Sequence, residues 1–261
     1  TSNLPKATKK YVEGLFLDSM QSKDTFLTIE SVKKSLTRIT QEKTIPTIFF
    51  LRFDRLKEIV TTELFGNLQG LKDAANRKVS YVFTSFRGLT DLAPNVFTKS
   101  SISLFARNMH IRPAQKADTK VILNTYKERY KLSFSESLES SLFEVVDGYV
   151  QYLHLALISL HETGIKLKNK EEIFDFLSKD ERILLQSEEL WESLEASEQS
   201  VLLKVVKEQE ISNDEKKTAS YLWDTGFVVK IEGKDSVFSP LFTHYLKQRQ
   251  ILKTNGANVE L

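Results

Sequence analysis

The run Ile45-Pro46-Thr47-Ile48-Phe49-Phe50-Leu51 constrains this chain more than any other stretch. It is short, continuous and apolar, rich in β-branched and aromatic residues, and it does not alternate. That pattern predicts a strand buried on both faces, as in a parallel sheet covered by helices. Val79-Ser80-Tyr81-Val82-Phe83-Thr84 is a second such strand, and Met109-His110-Ile111-Arg112, closed by Pro113, a weaker third. Helices are expected over 6–21, over 29–41, where Val32, Leu36 and Ile39 recur at helical spacing, and over roughly 58–76. Strands alternating with helices predict an α/β parallel sheet.

From about residue 117 the pattern turns helical. Helices are expected over 117–130, over 135–146, stopping at Asp147-Gly148, and over 149–162, stopping before Gly164; 171–193 reads as helical and acidic. Tyr149, Tyr152, Leu153, Ala156, Leu157 and Leu160 share one stripe, the mark of a core face. The last seventy residues read as a winged helix. Leu194–Lys207 is its first helix, with Val201, Leu202, Val205 and Val206 inward. Ser212-x-x-Glu215 is a capping box that opens a second helix, running to Gly226. Phe227–Ile231 and Ser236–Phe238 flank a turn at Glu232–Asp235, and Pro240 starts a closing helix, Leu241 to Leu252.

Composition narrows the function classes. With 261 residues, 41% of them hydrophobic, the chain is long enough for one large or two to three small cores. It has no cysteine, which excludes disulfides, thiolate metal sites and a cysteine nucleophile. The net charge of +2 conceals an uneven spread: +6 over residues 1–100, −3 over 101–193 and −1 over 194–261. No run approaches the roughly 20 apolar residues of a membrane span, and the start carries no signal-peptide pattern. A cytoplasmic protein without membrane contact is expected. The absence of an initiator Met suggests a piece of a longer polypeptide, or a processed one.

Four segments carry a resemblance. Thr47-Ile48-Phe49-Phe50-Leu51-Arg52-Phe53-Asp54-Arg55-Leu56 resembles the Walker B segment of STAND and AAA+-type P-loop ATPases, the origin-recognition-like proteins among them. Tyr81-Val82-Phe83-Thr84-Ser85-Phe86-Arg87 resembles their sensor-1 strand. Asp147-Gly148-Tyr149-Val150-Gln151-Tyr152-Leu153 resembles the Gly-x-Pro segment of their helical lid. Phe238-Ser239-Pro240-Leu241-Phe242-Thr243-His244-Tyr245-Leu246 resembles the end of the winged helix that follows the lid. The segments fall in the family's order over roughly residues 45–250. The resemblance implies an incomplete AAA+-like α/β module (1–113), a helical lid (114–165) and a winged-helix domain with a leading helix (166–261).

The departures bear on chemistry. No Gly-x-x-x-x-Gly-Lys-Ser/Thr occurs, and the chain has only nine glycines. Without that loop, no glycine-rich backbone surrounds the phosphates and no lysine reaches them. Aligned on Phe53-Asp54-x-Leu56, Leu51 and Arg52 occupy the places of the family's Asp-Glu pair, which holds Mg²⁺ and polarises water. Aligned instead on Asp54 as the Mg²⁺ residue, Arg55 replaces the Glu. Either way the catalytic acid is missing, and Val150 stands in place of the Pro of Gly-x-Pro. No catalytic residue is therefore assigned, no metal site and no cofactor are expected, and ATP with Mg²⁺ enters only if a P-loop is supplied elsewhere.

The resemblance leaves Asp54, Arg87, Gly148 and Tyr149 as nucleotide-facing candidates. Arg matches a phosphate bidentately, though Arg87 at a strand end also suits a structural ion pair. Asp54 also suits a helix cap, and Arg52 an ion pair in the sheet's ligand crevice. His110, His154, His161 and His244 are scattered and lack metal-helix spacing, so structural roles are expected. Tyr126, Arg129, Tyr130 and Lys131 read as lid surface. A winged helix also admits a DNA contact, with Lys216 and Lys217 as candidates, but Asp214, Glu215 and the region's −1 charge weigh against phosphate binding. The expectation is a regulatory scaffold or protein-interaction switch with a protein partner. The alternatives are a DNA-binding regulator and part of an active ATPase whose P-loop lies outside this chain.

Overall fold

A computed structural model describes residues 4–98 and 106–256. They divide into two compact units, residues 1–108 and 109–261.

The first unit opens with an α-helical hairpin, α1 (Lys6–Ser22) and α2 (Thr25–Gln41). Asp24 caps α2 by accepting from the Phe26 and Leu27 amides, which satisfies two donors the helix leaves open. Next come β1 (Thr47–Phe50), a 3-10 helix (Phe53–Ile59), α3 (Thr62–Ala74), β2 (Ser80–Phe83) and the single turn α4 (Leu89–Leu92). β1 and β2 pair in parallel with Thr47 opposite Ser80 and Phe50 opposite Phe83, and α3 makes the crossover.

Side chains alternate across a strand. The second and fourth residues of each strand, Ile48 and Phe50, Tyr81 and Phe83, pack on two apolar clusters, one around Phe53, Phe65 and Phe97, the other around Leu36, Ala75 and Val79. The first and third residues face solvent, with Phe49 61% exposed and Val82 36%. The strands therefore lie where the sequence predicts but are not buried on both faces. Their apolar composition suits a doubly covered sheet, while the helices of this unit cover one side.

The second unit holds α5 (Lys116–Tyr130), α6 (Glu136–Val146), α7 (Val150–Thr163), α8 (Lys170–Leu177), α9 (Glu181–Glu192) and α10 (Ala196–Val206). Then follow α11 (Asn213–Thr218), α12 (Tyr221–Asp224), an antiparallel hairpin of β3 (Val228–Ile231) and β4 (Lys234–Val237), and α13 (Pro240–Gly256). The α7 stripe is core: Tyr152, Leu153, Ala156 and Leu157 are fully buried. The Tyr152 hydroxyl is satisfied by Ser187 Oγ on α9 at 2.6 Å. The α6–α7 turn and Phe238, just after β4, share this core, since Tyr149 and Tyr152 meet Phe238 with ring centroids 5.2 and 6.3 Å apart.

Two expectations change here. Residues 109–112 are not a strand: Met109 and Ile111 are 84% and 91% exposed, and among the described residues the segment pairs with no strand. The expected helix from 213 to 226 is two short helices broken at Ala219-Ser220. The Ser212–Glu215 capping box that opens it is present.

Candidate functional site

In open α/β sheets, ligands bind beyond the carboxyl ends of the strands. In the first unit, Thr84 organises that end. Its N–H donates to the Phe50 carbonyl at 3.0 Å, its carbonyl accepts from the Phe53 amide at 2.8 Å, and its Oγ1 accepts from the Arg52 amide at 3.1 Å. These bonds hold Arg52 in a left-handed conformation, φ 52°, between the end of β1 and the 3-10 helix.

From that turn the Arg52 guanidinium reaches Asp54 Oδ2 at 3.1 Å and lies 4.7 Å from the centre of the Phe86 ring. Asp54 is the second residue of the 3-10 helix, so its carboxylate serves the arginine pair and does not stand at the helix cap. The other carboxylate oxygen, Oδ1, is buried with no hydrogen-bond partner among the described residues. Arg87 is half-buried three residues past Thr84, and its carbonyl accepts from the Ser85 hydroxyl.

Residues Gly148 and Tyr149 belong to the second unit. Gly148 has φ +74°, and a Cβ there would lie 2.2 Å from the Ala114 carbonyl oxygen. Tyr149 is packed between Tyr152 and Phe238, and burial pushes its hydroxyl pKa well above the usual value. Local packing therefore accounts for both residues.

The Lys216 ammonium pairs with Asp235 Oδ2 at 3.0 Å and lies 5.8 Å from the Trp223 ring centre, while Trp223 Nε1 donates to Asp235 Oδ1 at 3.2 Å. Burial pushes the Asp235 carboxyl up, but the hydrogen bonds from Lys216 and Trp223 outweigh it and leave it below its usual value. Lys217 is exposed. Each histidine has a ring neighbour: His110 faces Tyr221, His154 stacks on Tyr126 at 4.5 Å, His161 meets Tyr130 and His244 meets Phe174. Burial, then the nearby Arg129 charge, lowers the His154 pKa. Thr84 and Phe86 are the contributors that residue-type reasoning passes over. Their signal is position, directly after the second apolar run.

These residues do not by themselves fit Mg-ATP. The Asp54 carboxylate is held by a guanidinium, and among the described residues no group of three or more His, Asp or Glu could hold a metal ion. No helix among the described residues is long and apolar enough to cross a membrane.

No family model matches the sequence, and no curated protein matches it either. Among solved structures the chain is similar to a Walker-type ATPase of Pyrococcus abyssi. The TM-score is 0.55 at 16% identity, over 88% of this chain and 75% of that one. At that identity the likeness is one of fold: this chain has an ATPase-like architecture.

Proposed function

We propose that this protein is an ATPase-like regulatory scaffold, a protein-interaction switch that does not hydrolyse ATP on its own. The observation that carries the reading is the Arg52–Asp54 pair at the carboxyl end of β1. Leu51 and Arg52 follow the strand directly, where the family resemblance expects the Asp-Glu pair. A guanidinium there cannot polarise water, and it neutralises the nearest carboxylate. The second unit is read as a helical lid followed by a winged helix, with α10, α11, α12, the β3–β4 hairpin and α13 as the latter. Its helices serve packing: Lys216 is committed to Asp235, which weighs against a DNA role.

A second reading is favoured by the bare face of the sheet. Parallel sheets are normally covered on both sides, so a P-loop-bearing segment outside this sequence suits that face, and the chain then forms part of a complete ATPase. Phosphate release from Mg-ATP by the purified chain tests the first reading. No release above buffer is expected. Turnover that disappears in Asp54→Asn would overturn it.

A further inference from the structure

The exposed stretch 109–112 runs into a seat built from two glycines of different elements. Three successive residues occupy it. Arg112 Nε donates to the Asp224 carbonyl at the end of α12, at 2.8 Å. Pro113 Cδ lies 2.8 Å from the place a Cβ on Gly226 would take, and the Ala114 carbonyl oxygen 2.2 Å from that place on Gly148. The Ala114 amide then donates to the Gly148 carbonyl at 2.8 Å.

Both glycines have positive φ, +74° and +82°, but so do Gly164 and Gly233, whose Cβ positions are open. Turn conformation alone therefore explains all four glycines, whereas space explains only Gly148 and Gly226. Their missing side chains make room for this segment.

We propose that Arg112–Ala114 is a releasable strap, docked across the α6–α7 turn and the α12–β3 turn. Among the described residues its hydrogen bonds are the Ala114 amide to Gly148, Arg112 to Asp224 and a long one, 3.5 Å, from the Thr119 hydroxyl to the Ala114 carbonyl, with van der Waals contact over the glycines. Its outer side is open, with Ile111 91% exposed and Arg112 exposed, and Pro113 offers no amide to anchor it further. A segment tied so lightly opens locally, without unfolding the core beside it. Docked, it joins two turns that lie far apart in sequence, so displacement of either turn releases the chain that leads into this unit. Docked, the strap ties the helical half of the unit to its hairpin half; released, it frees both turns.

Residue-resolved amide hydrogen exchange on the whole chain tests this. The Ala114 amide, bonded to Gly148, reports docking; the Leu153 amide, in the buried first turn of α7, reports global opening. The Ala114 amide is expected to exchange at least about 100-fold faster than Leu153 yet slower than an unstructured amide. Arg112→Ala removes one strap bond and is expected to speed Ala114 exchange by roughly tenfold, leaving Leu153 unchanged. Gly226→Ala is expected to do so more strongly, and Gly233→Ala, with open space at its Cβ, not at all. Arg112→Ala keeps the test intact if Gly226→Ala does not fold. The proposal is overturned if Ala114 exchanges only with Leu153, if Arg112→Ala leaves it unchanged, or if Gly233→Ala speeds it as much as Gly226→Ala.

Discussion

Two residues show how differently similar sequence signals resolve. Gly148 and Gly164 both end helices in left-handed backbone, but only Gly148 meets another chain segment. Gly164→Ala is expected to cost about 1 kcal/mol, the strain of a non-glycine residue at positive φ. Gly148→Ala adds a clash with backbone and is expected to cost about 3 kcal/mol or more, measured by denaturant unfolding. Glu215 gives a pH signature. The hydrogen bond from Lys204, then those from Ser212, hold its carboxyl down at about 2, against an ordinary 4.5. Because the folded-state value is the lower one, the stabilisation is present above pH 4.5 and is lost as pH falls toward 2. Glu215→Gln is expected to be less stable than the natural chain at pH 7, with the gap closing over that window. A gap independent of pH would contradict this origin.

At the scale of elements, the two strands were legible and their surroundings were not. A continuous apolar run fixes where a strand lies, because β-branched and aromatic residues suit pleated backbone. It does not say whether the cover for each face is carried by the same sequence. The adjacent residues Phe49 and Phe50 expose the difference. Phe50→Ala is expected to lose about 3 kcal/mol through the stacked Phe50–Phe83 pair and its cluster, while Phe49→Ala is expected to stay within about 0.5 kcal/mol. Thr84→Val removes the acceptor for the Arg52 amide and is expected to cost about 1 kcal/mol. The stretch 109–112 misleads because β-branched Ile111 close to a proline imitates a strand end; among the described residues no partner strand reaches it, and the two-glycine seat holds Pro113 and Ala114 instead. The break at Ala219 carries no Gly or Pro to announce it; burial of Ala219 accompanies it. In the site, Asp54 and Arg52 were legible as residue types, but their pairing depends on the Thr84 bonds, which arise across 32 positions of sequence.

At the scale of the molecule, the two units differ in what their described residues leave exposed. Large apolar side chains stand exposed on the helices and the sheet of the first unit, among them Phe16, Met20, Phe26, Phe49, Leu51 and Ile59. The second unit buries aromatic residues around Tyr152 and Phe242 and, among the described residues, leaves fewer large apolar groups outside. The proposed scaffold role rests on the arginine held against Asp54 beyond the carboxyl end of β1. The most direct measurement is a calorimetric titration of the purified chain with Mg-ATP. No binding heat up to millimolar nucleotide is the predicted result, and a saturable micromolar affinity that Asp54→Asn or Arg87→Ala abolishes would contradict the account.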